Sequence, residues 1–128
     1  MKKLYVITLL LLFICCLSCK KTTFSPEGPS DVRIRNISGS AFTEVVVKIK
    51  DEEIAFGTID VNNTSEYHRF ETAFPKAYIS AKTNNSPITT GPVDFTYMNY
   101  FGQNKITYDV TVENNLLKIK NVTVDSPL

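Results

Sequence analysis

Beginning at Asp31, apolar and polar side chains alternate almost one by one, a rhythm that suits sheets and little else. In DVRIRNI, Val32 and Ile34 fall on one side and Arg33 and Arg35 on the other. In TEVVVKIK, Val45, Val47 and Ile49 share a face, with Glu44, Val46, Lys48 and Lys50 opposite. AYISAKT, ITYDVTV and LLKIKNVTV repeat the pattern; in the second, Ile106, Tyr108, Val110 and Val112 line up together. A period of two sends successive side chains to opposite faces of a strand, so each segment turns apolar residues to a core and polar ones to water. Turn formers separate the segments: SGS at 38–40, DEE at 51–53, VNNTS at 61–65, NNSP at 84–87, GQN at 102–104 and ENN at 113–115. Short strands punctuated in this way predict an all-β architecture. We read an antiparallel β-sandwich, immunoglobulin-like, of about seven or eight strands and a single domain over residues 31–128. Tryptophan is absent, so the Cys–Trp–Cys core of antibody domains cannot form.

The first thirty residues have a different character. A basic start (Met1, Lys2, Lys3) precedes an apolar run over residues 4–17 in which only Thr8 is plainly polar. The run is short of the about 20 residues needed to span a bilayer. Its layout is that of a secretory signal peptide, here residues 1–18. All three cysteines, Cys15, Cys16 and Cys19, crowd the foot of this run. Thiols so close together rarely meet disulfide geometry, and a zinc site needs four ligands where the chain adds only one histidine.

The stretch Cys16-Leu17-Ser18-Cys19 resembles the lipobox of bacterial lipoprotein signal peptides. The resemblance implies cleavage before Cys19 and attachment of lipid to it, since small Ser18 precedes it. Several acyl chains then hold the protein to the membrane, where one alone would hold it marginally. Residues 19–30 read as the lipidated cysteine and a flexible tether, interrupted by Pro26, Gly28 and Pro29. The expected location is the bacterial cell envelope, most naturally the outer membrane, with the periplasmic and surface faces both open. Removing the leader takes Lys2 and Lys3 with it and moves the formal charge from +1 to −1. No basic patch remains to suggest a nucleic-acid partner.

VRIRNISGSAFTEVVVKI, FGTIDVNNTSEYHRF and AFPKAYISAK together resemble a group of small Bacteroidota lipoproteins of unknown function. The likeness covers residues 31–82 and extends more loosely to 119. It implies a membrane-anchored β-domain and carries over no catalytic or binding residue.

Four features bear on chemistry. Asp60, Asn62, Thr64 and Glu71 stand at the first, third, fifth and twelfth positions of a would-be calcium loop. Ser65 occupies the sixth, where glycine makes the turn, and the flanks read as strands, so a hairpin loop is the expectation. His68 has no second histidine or cysteine to share a metal. With Tyr67 turned inward, it reads as a solvated surface residue. Asp51, Glu52 and Glu53 follow one another in a turn, so their carboxylates diverge instead of facing across a cleft as glycoside hydrolysis requires.

The fourth is DFTYMNYFG, at 94–102, with four aromatics in seven residues. If the segment is extended, Phe95, Tyr97 and Phe101 share a face with Asn99 and fill the core, leaving Met98 and Tyr100 outside. Tyr97, Met98, Asn99, Tyr100 and Gln103 are the candidate ligand contacts: rings that stack on a sugar or peptide, flanked by amides. No nucleophile–base pair, metal cluster or phosphate loop is visible. We therefore expect no enzyme and no cofactor. The reading is a lipid-anchored structural or accessory interaction domain, with a glycan- or peptide-binding module at residues 97–103 as the alternative. Its partners are the membrane, through the N-terminal lipid, and a glycan, peptide or envelope protein.

Overall fold

The computed structural model describes residues 25–128. Eight strands follow one another: β1 (Ser30–Asn36), β2 (Phe42–Ile49), β3 (Glu52–Ile59), β4 (His68–Phe70), β5 (Tyr78–Thr83), β6 (Ser86–Thr89), β7 (Asn104–Glu113) and β8 (Leu116–Pro127). They form two four-stranded sheets, ordered β4-β1-β7-β8 and β3-β2-β5-β6. The core lies between them, as the alternation requires. Val32, Ile34, Ile106, Tyr108 and Val110 are buried from the first sheet, and Val45, Val47, Ile49 and Ile79 from the second. Each fully buried aliphatic side chain of this kind contributes roughly 1.5–3 kcal/mol.

Two of the hairpins turn at paired asparagines. Asn84–Asn85 joins β5 to β6 and Asn114–Asn115 joins β7 to β8, each as a two-residue loop with both φ values between 49 and 62°. That left-handed pair is what a type I′ turn requires, and asparagine adopts it more readily than most residues. Phe42 and Val45 are both buried although three apart, because the ladder to β3 shifts register between them. Glu44 (φ 50°) lies in that shift, and Gly57 (φ 75°) faces Val45 across it, so a bulge absorbs the broken parity.

One ladder departs from the antiparallel expectation. β1 and β7 run parallel in the middle of their sheet, from Asp31 opposite Lys105 to Asn36 opposite Val110. Parallel neighbours need a long crossover, and here all of β2 to β6 supplies it. Their outer faces interlock through charge. Arg35 donates Nε and Nη2 to the two carboxylate oxygens of Asp109 at 2.8 and 2.7 Å, and Arg33 Nε donates to Thr107 Oγ1 at 2.9 Å.

The last residues of the segment read as a tether are packed. Residues 25–29 lie against the domain: Thr72 Oγ1 donates to the Glu27 carbonyl at 3.0 Å, and Gln103 Nε2 donates to the Ser25 carbonyl at 2.8 Å. Gly28 is buried so tightly that an added Cβ would come within 1.9 Å of the Glu71 carbonyl oxygen.

Candidate functional site

The segment from Asp94 to Gly102 is not a strand. It belongs to an irregular connection over residues 90–103 that leaves β6 and returns to β7. Gly91 (φ 81°) and Pro92 open it, and Gly102 (φ 71°) closes it. These breakers were visible in the sequence, and they outweigh the β-propensity of the aromatics between them.

The connection is held to the core in steps. Tyr108, fully buried on β7, donates its hydroxyl to the Phe74 carbonyl and so fixes the 71–77 connection. Burial raises the Tyr108 phenol well above its ordinary pKa. The Phe74 ring packs against Phe95 with centroids 5.2 Å apart, and the Phe101 amide donates to the Ala73 carbonyl at 2.8 Å. Phe95, Met98 and Phe101 thereby lie half-buried against the core. Between them the chain turns sharply. The Met98 amide bonds the Phe95 carbonyl, and the Asp94 carboxylate accepts the Thr96 amide at 2.9 Å. Bonds from the Thr96 side chain and amide hold the Asp94 carboxyl below its usual range.

Tyr97 stands at the tip of this turn. Its φ is 65°, and its relative exposure of 101 % means that the ring touches almost nothing. The inward placement expected for Tyr97 is therefore reversed, and so is the outward placement of Met98: in a turn, unlike a strand, neighbouring residues need not alternate. Tyr100 is exposed as expected, at 47 %, and Asn99 beside it faces solvent. Gln103 is half-buried, and its amide nitrogen donates to the Ser25 carbonyl. Of the five candidates the structure exposes Tyr97, Asn99 and Tyr100, sends Met98 inward and commits Gln103 to the chain's own backbone. Cys19 lies outside the described residues.

Sequence reasoning missed the groove beside this loop. Lys76, Pro92, Asp94 and Met98 meet Lys118 and Ile119 of β8 around a volume of about 460 Å³. No short motif marks it, since its walls come from three separate parts of the chain.

The other chemical candidates separate. Asp60 follows the end of β3, while the Glu71 amide bonds the Glu52 side chain at the start of the same strand. The eight residues of β3 lie between them, about 3.3 Å each. The residues between are a crossing from one sheet to the other, not the hairpin loop expected, and no single ion could reach both acids. Glu52 and Glu53 belong to β3 itself. His68 pairs with buried Val32 and stacks on Phe56 at 4.2 Å, so it faces inward at the sheet's rim. Tyr67 takes the outer face instead, donating to Asp125 at 2.8 Å under the Arg33 guanidinium. The parity expected for this pair is inverted.

No family model and no curated protein matches the chain. An NMR structure of a protein from Eubacterium rectale is similar over 81 % of this chain and 95 % of that one, with a TM-score of 0.49 and 13 % sequence identity.

Proposed function

We propose that the chain is a lipid-anchored, non-enzymatic interaction domain of the bacterial cell envelope, making contact through the exposed turn at Tyr97. The observation that carries this reading is the backbone of Tyr97. A tyrosine in the left-handed region costs about 1 kcal/mol that glycine would spare, and here no buried contact of the ring offsets it. Strain of that kind at an exposed aromatic fits a side chain kept for what it touches outside the domain. Cys16-Leu17-Ser18-Cys19 supports the anchor.

Labelled fatty acid tests the attachment. The wild-type chain should incorporate it and partition into a detergent phase, and Cys19→Ala should do neither. Uptake by Cys19→Ala would remove the anchor assignment.

A second reading, a glycan- or peptide-binding module, is favoured by the exposure of Tyr97 and Tyr100 together. It requires that Tyr97→Gly lose retention on a glycan or peptide array while the fold persists. Equal retention of the two proteins would exclude Tyr97 as the platform.

A further inference from the structure

β8 is the longest strand, and it has a neighbour in its sheet on one side only. It pairs with β7 and forms the edge of that sheet. Its twelve residues extend about 40 Å; β6, which lies against it at the edge of the second sheet, has four residues and covers about 13 Å.

The uncovered length shows in the burial of β8 itself. Residues opposite one another in an antiparallel ladder share a face. Leu117 is opposite Val112, Ile119 opposite Val110, Val122 opposite Tyr108 and Val124 opposite Ile106, so all four turn toward the core side. Val110, Tyr108 and Ile106 are fully buried, yet along β8 the cover falls away. Leu117 is buried, Ile119 and Val122 are half-buried, and Val124 is 49 % exposed. The sandwich is open along this edge.

The groove of about 460 Å³ beside the 90–103 connection opens at the same place, lined by Leu117, Lys118 and Ile119 together. Consecutive residues of a strand point to opposite faces, so a cavity that meets three in a row lies along the strand's edge, where N–H and C=O groups stand without a ladder partner. Its far wall includes Pro92 and Met98, from the chain that leaves β6. Positive charge prevails here. Lys76 lines the groove and makes no ion pair among the described residues, while Lys118 and Lys120 share the single carboxylate of Glu113. The Asp94 carboxylate is already engaged with Thr96.

We infer that β8 takes an added strand from another protein, an extended segment with apolar side chains at every second position and carboxylates between them. Such a segment satisfies the backbone groups of the edge, which supplies affinity, and its alternate side chains supply specificity. One face covers Ile119, Val122 and Val124 and fills the groove. The other turns its acids toward Lys118 and Lys120, with Lys76 adding positive charge at the groove. The site is separate from the Tyr97 ring and needs no membrane anchor.

The test uses the full-length chain and two synthetic peptides, one alternating valine with glutamate and one alternating valine with lysine. Fluorescence anisotropy reads binding, and amide hydrogen exchange reads where it occurs. The glutamate peptide should bind several-fold more tightly, and exchange should slow at those β8 residues whose N–H points away from β7. Lys118→Glu with Lys120→Glu should reverse the preference. Methylating the valine nitrogens of the glutamate peptide blocks one of its edges, and methylating the glutamate nitrogens blocks the other; one of the two peptides should lose binding and the other keep it. Failure of the glutamate peptide to bind, or equal affinity for both charge types, would overturn the proposal. So would methylated peptides that both bind or both fail. A free protein already dimeric, with these β8 amides protected, would overturn it in favour of a second copy of the chain.

Discussion

At the scale of single residues, two tyrosines have opposite roles. Tyr97 makes no packing contact and sits on a left-handed backbone, so Tyr97→Gly should raise stability. A gain of about 1 kcal/mol is expected from relieving the strain, read as a higher urea midpoint with unchanged slope. A loss of stability would mean that the ring packs on the domain after all. Tyr108 is the reverse case, and its raised phenol pKa makes it pH-sensitive. The folded state holds the Tyr108 proton more tightly than the unfolded chain. The stability this contributes is complete below the ordinary phenol value of about 10, and it drains away as pH rises toward the higher folded value. Tyr108→Phe should lower stability near pH 7 by roughly 1–2 kcal/mol, because the Phe74 carbonyl loses its donor. The same variant should lose less stability than wild type between pH 9 and 11, by chemical denaturation across that range. Parallel alkaline limbs would contradict the assignment.

At the scale of elements, β8 poses the main hazard. It is a twelve-residue strand at the edge of its sheet, and a long unpaired edge invites another strand. Its guard is charge: Lys118 and Lys120 lie along it and bridge Glu113 at 3.1 and 2.7 Å. Hydrogen bonds from Lys120 and then Lys118 hold the Glu113 carboxyl below its usual pKa. The pairing is thus present above the ordinary carboxylate range and lost as pH falls through the depressed value; at this exposure it is also weakened by salt. Replacing both lysines (Lys118→Val with Lys120→Val) should shift the protein toward larger species in sedimentation velocity, with little loss of fold. Sedimentation indistinguishable from wild type would show that the bulge between Asp109 and Val110 already protects the edge.

At the scale of the whole molecule, four connections pass between the sheets, and residues 25–29 clamp the first strand to two later loops. Gly28 is the tightest point of that clamp. Gly28→Ala forces a methyl onto the Glu71 carbonyl, and overpacking of this kind costs about 1–3 kcal/mol. The expected outcome is a urea midpoint lowered accordingly, with the β-sheet circular dichroism spectrum retained. An unchanged midpoint would show that the clamp yields without loss and that these residues behave as part of the tether.

Local periodicity determined the strands and their faces. Val32, Ile34, Val45, Val47, Ile49, Ile106, Tyr108 and Val110 all point where the alternation sends them, because a strand's side-chain period of two is a property of its own backbone. The turns at Asn84–Asn85 and Asn114–Asn115 were legible for the same reason. Tertiary structure decided what depends on distant partners. The parallel ladder of β1 with β7 joins segments about seventy residues apart, and no local pattern encodes which strands meet. Tyr97 reads as core in an extended chain and stands in solvent only because Phe74 and Ala73, more than twenty residues earlier, hold Phe95 and Phe101 and force the turn between them. His68 and Tyr67 exchange faces because the three-residue β4 takes its register from β1. A pattern carries a side chain's direction only while the strand around it is long enough to keep its own phase; in short elements and loops, the neighbour across the gap sets it.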